Sequence, residues 1–201
     1  MNRIKCANAF SIVELVIVIT VIGILATITL VAYPQVQNHA KDQKIKEGAS
    51  KISGAIEEWA IRTDAQVDQI EWGVASYGPV QTYSNGVAYC TGDFSQNTYS
   101  WVSSGKHTCT LEDILVESNY LPSGYIKELP QNSITKQPDE TYRIVNCINQ
   151  ARKFVLLYSL QAPTTEDDAE YDSIITMCGI RSDEKSNLGM RGAKLILIED
   201  R

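Results

Sequence analysis

One carboxylate stands inside the most apolar stretch of this sequence. From Phe10 to Ala32 the chain reads FSIVELVIVITVIGILATITLVA, and its only charged side chain is Glu14. A carboxylate deep in an apolar helix costs roughly 2.5–3.5 kcal/mol on insertion scales, which marks it as a group with a dedicated partner. If the chain is cut before Phe10, a free α-amine appears four residues from Glu14. Such an amine is largely protonated near neutral pH. In a bundle of packed helices the amine of one copy can neutralise Glu14 of the next. That pair would sit in a low-dielectric setting and fix the axial register between copies. The chemistry this points to is assembly rather than turnover.

Other reactive side chains are few. The five cysteines are Cys6, Cys90, Cys109, Cys147 and Cys178, and none forms a C-x-x-C pair, which speaks against a zinc ribbon or a thioredoxin-like site. Cys6 precedes the apolar run. With it removed, an even set of four remains, which fits two disulfides outside the cytoplasm. Four cysteines allow three connectivities. Cys147 and Cys178 fall in β-rich runs and Cys90 and Cys109 in an irregular region, so Cys147–Cys178 and Cys90–Cys109 are the expected pairs. The histidines are His39 and His107. His107-Thr108-Cys109 could suggest a Cys–His dyad, but a nucleophile and its base usually come from distant segments, and a surface histidine beside a structural cysteine is the simpler reading. Thr164 to Asp172, TTEDDAEYD, reads as an acidic loop without the ligand alternation or central glycine of an EF-hand, hence a solvated loop. Trp59, Trp72 and Trp101 could line a sugar-binding surface, although packing is the commoner use of tryptophan. No phosphate-binding glycine loop and no nucleophile elbow is present. No cofactor, no metal site and no enzymatic activity is expected.

The elements that must position Glu14 follow from periodicity. A helix over the apolar run reaches about 34 Å at roughly 1.5 Å per residue, long enough for a bilayer. Arg3 and Lys5 favour keeping the short leader on the cytoplasmic side. A secretory signal carries its small residues after a shorter apolar region, whereas here Ala9 precedes a longer one. Pro34 removes one helix hydrogen bond, and with Gly23 it is an expected kink position. Beyond it Ile45, Ala49, Ile52, Ile56 and Trp59 recur at helical spacing as one apolar stripe, with Lys41, Asp42, Lys44, Lys46, Glu47 and Lys51 mainly on other faces. A helix from Ser11 to Arg62 would be about 78 Å long. After Asp64 comes a Gly-, Ser- and Tyr-rich region in which Val80–Tyr83 and Val87–Cys90 suit a hairpin around Asn85-Gly86. Thr110 caps a short helix that turns Leu111, Ile114 and Leu115 inward. Thr141–Ile148, Lys153–Leu160, Ile174–Ile180 and Ala193–Ile198 read as strands. The expected fold class is α+β: a long N-terminal helix, membrane-spanning and then amphipathic, laid on a C-terminal antiparallel sheet. The expected divisions are a leader over 1–9, an apolar helix over 10–35, an amphipathic helix over 36–63 and a head over 64–201.

Ala9-Phe10-Ser11-Ile12-Val13-Glu14-Leu15 resembles the prepilin processing signature, and the run onward through Gly23-Ile24-Leu25-Ala26 resembles the helices of type IV pilins and pseudopilins. The match covers about 25 residues, and the rest of the chain agrees in architecture only. Ala9 stands where the family usually has glycine. The resemblance implies cleavage between Ala9 and Phe10 by a membrane prepilin peptidase, which would also methylate the Phe10 amine. It further implies a helical homo-oligomer in which Phe10 and Glu14 make the register contact. Its partners would be an inner-membrane assembly platform and minor pilins. Membrane lipid would surround the helix before assembly, and the finished filament would lie at the cell surface. Adhesion, twitching motility and DNA uptake are filament functions among which these residues do not choose. With a formal net charge of −6 the chain is not expected to bind nucleic acid directly. Two rivals stand beside this reading: a pseudopilin of a type II secretion or DNA-uptake machine, and a single-pass anchored enzyme or receptor.

Overall fold

The computed structural model describes residues 11–63, 80–82, 88–90, 99–102, 109–130, 141–148, 153–180 and 189–197. The chain divides into two compact units, Met1–Asn38 and His39–Arg201. Helix α1, Ile12–Thr63, begins in the first and ends in the second, and Pro34 lies inside it.

In the second unit the stripe of α1 is the floor of the main core. Ile45, Ala49, Ile52, Ile56 and Trp59 are all buried. They meet one face of an antiparallel sheet ordered β3-β4-β5-β6, with β3 at Tyr99–Trp101, β4 at Tyr142–Asn146, β5 at Lys153–Ser159 and β6 at Met190–Leu197. Residues of a strand alternate between faces. Accordingly Ile144, Phe154, Leu156, Tyr158 and Ile196 join the α1 core, while Val145, Val155, Leu157 and Ala193 join a second core on the other face. A separate two-stranded ladder pairs β1, Val80–Thr82, with β2, Ala88–Cys90. This is the hairpin expected there; its Asn85-Gly86 turn lies outside the described residues.

Helix α2, Leu111–Glu117, starts where its sequence says it should. Thr110 and Asp113 form a reciprocal capping box, which satisfies two N-terminal donors, and Leu111, Ile114 and Leu115 are buried.

The second core corrects the sequence reading. Thr164–Asp172 is not a loop and Ile174–Ile180 is not a strand: Thr165–Cys178 is helix α3. Thr164 and Asp167 close a capping box at its start, and Glu166, Asp167 and Asp168 lie in the first turn, where the helix dipole favours negative charge. Gly179, at φ 67°, ends it in the left-handed conformation that glycine adopts freely. The buried residues Tyr171, Ile175 and Cys178 follow helical spacing, which overrides the β-propensity of Ile174-Ile175-Thr176. The sheet is therefore covered on both faces, by α1 on one and α3 on the other.

Two α1 positions hold these layers. Asp42, 3% exposed, accepts the backbone N–H groups of Gln161 (2.8 Å) and Ala162 (2.7 Å), in the connection from β5 to α3. Asp42→Ala leaves both amides without their acceptor, and a loss of about 2–4 kcal/mol is expected in a denaturant melt. Gly48 lies against Tyr142, whose buried hydroxyl donates to the Ile45 carbonyl at 2.8 Å. A methyl group there meets the Tyr142 hydroxyl and lies 2.9 Å from a Leu129 methyl. Alanine is the better helix former by about 1 kcal/mol. Gly48→Ala is nonetheless expected to destabilise by about 1–2 kcal/mol, because the tyrosine must leave its hydrogen bond to make room. Thermal denaturation of the two variants reads both effects.

Candidate functional site

The first turns of α1 carry the feature with the clearest chemistry. Ile12, Leu15, Ile17, Ile19, Ile22 and Leu25 are each more than half exposed, as are Val13, Ile24 and Ile28, and Val16, Val18 and Val21 are about half exposed. The apolar surface runs round the whole circumference of the helix, unlike the single stripe of its second half. A helix apolar on every side belongs in lipid or among other helices. This helix is the one, among the described residues, that is long and apolar enough to cross a membrane.

The polar groups in this segment divide into two kinds. Thr20 donates to the Ile17 carbonyl, Thr27 to that of Ile24, and Thr29 to those of Leu25 and Ala26, all at 2.7–3.0 Å. These hydroxyls are satisfied by their own helix and ask nothing of the surroundings. Glu14 differs. Its Oε2 accepts the Ser11 backbone N–H at 2.9 Å, while the Ser11 hydroxyl accepts the N–H of Val13 at 3.3 Å. Together they cap the helix, with Glu14 at the third position reaching back to the residue that precedes the first turn. Its other oxygen, Oε1, accepts no hydrogen bond from a described residue. Among the described residues the carboxylate is thus anchored by one oxygen only, at the start of an apolar surface.

The capping role of Ser11 and Glu14 was missed in the sequence, although the S-x-x-E spacing of Ser11-Ile12-Val13-Glu14 states it. Ala9 and Phe10 lie outside the described residues, as do Cys6, Trp72 and His107. Gly23 has open space around the position of a side chain, and Pro34 is inside the helix.

Of the cysteines, Cys147 and Cys178 form a disulfide. They do so from positions other than two strands: Cys147 follows the end of β4 and Cys178 is the last residue of α3. The Ile148 N–H donates to the Cys178 carbonyl at 2.8 Å beside the bridge. Cys109 is also disulfide-bonded and fully buried. Cys90, its expected partner, lies in β2, and its side chain is outside the described residues. Trp59 is buried in the main core, a packing use.

The acids of α3 serve the head. Asp168 pairs with Arg191 at 3.3 Å, and Asp167 pairs with Lys46 of α1 while capping α3. Among the described residues no three His, Cys, Asp or Glu side chains converge on a metal-sized site. Burial alone would raise the pKa of Asp167, but hydrogen bonds from Lys46 and Thr164, with the Lys46 charge, outweigh it and hold the carboxyl below its ordinary value of 3.8. A group whose folded pKa is depressed adds stability that is complete above its unfolded value and disappears as pH falls through the folded value. The urea midpoint is therefore expected to fall between about pH 5 and pH 2, and Asp167→Asn should flatten that part of the curve. Tyr158 moves the opposite way, pushed up to about 12 by burial and by the nearby Glu170 and Asp167 carboxylates.

No protein-family model, curated protein or solved structure matches the chain.

Proposed function

We propose that this chain is a structural subunit of a type IV pilus-like filament, assembled through the apolar half of α1. The observation that carries the reading is Glu14: a carboxylate with one oxygen that no described residue bonds, set in a surface that must be covered by lipid or by other helices. A neighbour's α-amine, created by cleavage between Ala9 and Phe10, is the cation of the right size and placement. Such a pair stabilises register because shifting one helix along another by a turn, about 5.4 Å, leaves both charges bare in an apolar bundle. Prepilin peptidase makes the amine and methylates it, and an assembly platform draws the helix out of the bilayer. The second unit forms the outer surface. A short pseudopilus of a secretion or DNA-uptake machine uses the same contact and differs in copy number and length.

One observation favours the rival, a single-pass anchored protein. Glu14 already caps its own helix, and a cap needs no neighbour. Mass spectrometry of the mature N-terminus separates the two. A chain beginning at N-methylated Phe10 is the expected result; a chain that keeps Met1 to Ala9 rules out the proposed contact, since no amine then exists near Glu14.

A further inference from the structure

The two edges of the four-stranded sheet are unequal. β3 has three residues, whereas β6 has eight and, among the described residues, a single neighbour, β5. Two hydrogen bonds set the phase of the ladder: the Cys147 N–H donates to the Lys153 carbonyl at 2.9 Å, and the Ser159 N–H to the Thr141 carbonyl at 3.3 Å. In an antiparallel pair, hydrogen-bonded and non-bonded residue pairs alternate. Lys153, Val155, Leu157 and Ser159 thus turn their backbone groups toward β4, and Phe154, Leu156 and Tyr158 turn theirs toward β6. The residues opposite these on β6 are Ile196, Lys194 and Gly192. It follows that Ala193, Leu195 and Leu197 direct their N–H and C=O groups away from the sheet. No described residue bonds to those outward groups.

A cleft of about 500 Å³ opens at this edge. Lys46 and Ser50 of α1 form one wall, Glu166 and Glu170 of α3 the other, and Ala193 and Lys194 lie between them. Both lysines are already engaged, Lys46 by Asp167 and Lys194 by the Ser50 hydroxyl at 2.9 Å. Glu166 and Glu170 are exposed and form no ion pair with any described residue. Lys46 and Asp167 cancel, whereas Lys194 keeps its charge, because a hydroxyl does not neutralise it; two lysines against three acids leave the cleft lining at −1, with the acidic side on α3. A second copy of a chain with net charge −6 is a poor occupant of such a site, and a basic chain a good one.

We infer that the β6 edge is a strand-addition site for an extended, basic segment of another protein. An added strand pairs its backbone with Ala193, Leu195 and Leu197, over about 13 Å at roughly 3.3 Å per residue. Its side chains alternate between faces, so every second one lies on the α3 side, where lysine or arginine meets Glu166 and Glu170. This inference concerns the second unit alone and does not depend on filament assembly.

The test uses the full chain in detergent micelles, with amide exchange followed by NMR. In the free protein the Ala193, Leu195 and Leu197 amides should exchange about a hundredfold faster than those of Lys194 and Ile196. The probe is a capped nine-residue peptide of alternating valine and lysine. At millimolar concentration it should slow exchange at Ala193 and Leu195 about tenfold. The fully N-methylated peptide should do nothing, because it cannot donate to the edge, and the peptide with glutamate for lysine should protect far less. Glu166→Lys with Glu170→Lys should weaken the lysine peptide about tenfold. Three results overturn the inference: protected Ala193 and Leu195 amides in the free protein, no change with the lysine peptide, or equal protection by the glutamate peptide.

Discussion

Glu14→Ala is expected to yield a protein that reaches the membrane, folds its head, and contributes no filament to the sheared surface fraction. Truncating one partner of a buried ion pair leaves the other charge uncompensated, a penalty of about 3–5 kcal/mol per contact. A filament repeats that contact at every subunit, so the loss is multiplied along its length. Alanine also removes the cap to Ser11, worth about 1 kcal/mol, so alanine alone confounds two roles. Glu14→Gln separates them. The glutamine oxygen can still accept the Ser11 N–H, as glutamine does in capping boxes, but it carries no charge. If the interchain pair governs assembly, glutamine fails as alanine does. If the cap is all that matters, glutamine assembles normally. Melting of the head in both variants serves as the control, because Glu14 lies in the first unit and the buried cores in the second.

Removing the Cys147–Cys178 bridge should be the most damaging single change within the head. The bridge closes a loop of sequence separation 31. Constraining such a loop in the unfolded chain is worth roughly 3–4 kcal/mol on the chain-entropy estimate. Helix α3 is held at both ends: Asp42 and the Lys46–Asp167 pair fix its entry, and the disulfide fixes its exit beside β4. Replacing both cysteines with serine should lower the melting temperature by about 10 °C. Amide exchange should rise first in the last turns of α3, around Ile175, rather than in the α1 stripe. Reduction of the native protein should reproduce the shift. An unchanged melting temperature would mean that the second core, with Tyr171, Ile175 and Met190, holds α3 without covalent help.

Much of this architecture was legible in the residues because single signals sufficed. The Ile45 to Trp59 stripe fixed which face of α1 is buried, and Thr110 fixed the start of α2. β4 and β5 could be read from β-rich apolar runs separated by a hairpin-length gap. The cysteine pairing 147–178 was legible from chain position, although one partner turned out to end a helix. α3 was misread because two local signals conflict. Its second half is β-branched and apolar, and its first half is acidic, so composition suggested a loop followed by a strand. The T-x-x-D box at Thr164–Asp167, the acids of the first turn and Gly179 together outweigh that composition. They mark a helix, and Tyr171, Ile175 and Cys178 then bury one face of it. At the candidate site the position of Glu14 was evident from charge alone. Its bond to Ser11 was not, because a carboxylate in an apolar run draws attention to partners on other chains before partners three residues away. The direction of the β6 backbone groups lay beyond sequence reasoning altogether, since it depends on strand order and ladder phase.

Whether Glu14 meets the α-amine of a neighbouring copy can be seen in a density map of filaments sheared from cells and built of this chain. The expected map shows a chain that begins at methylated Phe10, with that nitrogen within about 4 Å of the neighbour's Glu14 carboxylate. A map in which both Glu14 oxygens face their own helix start, with the neighbour's amine elsewhere, would contradict it.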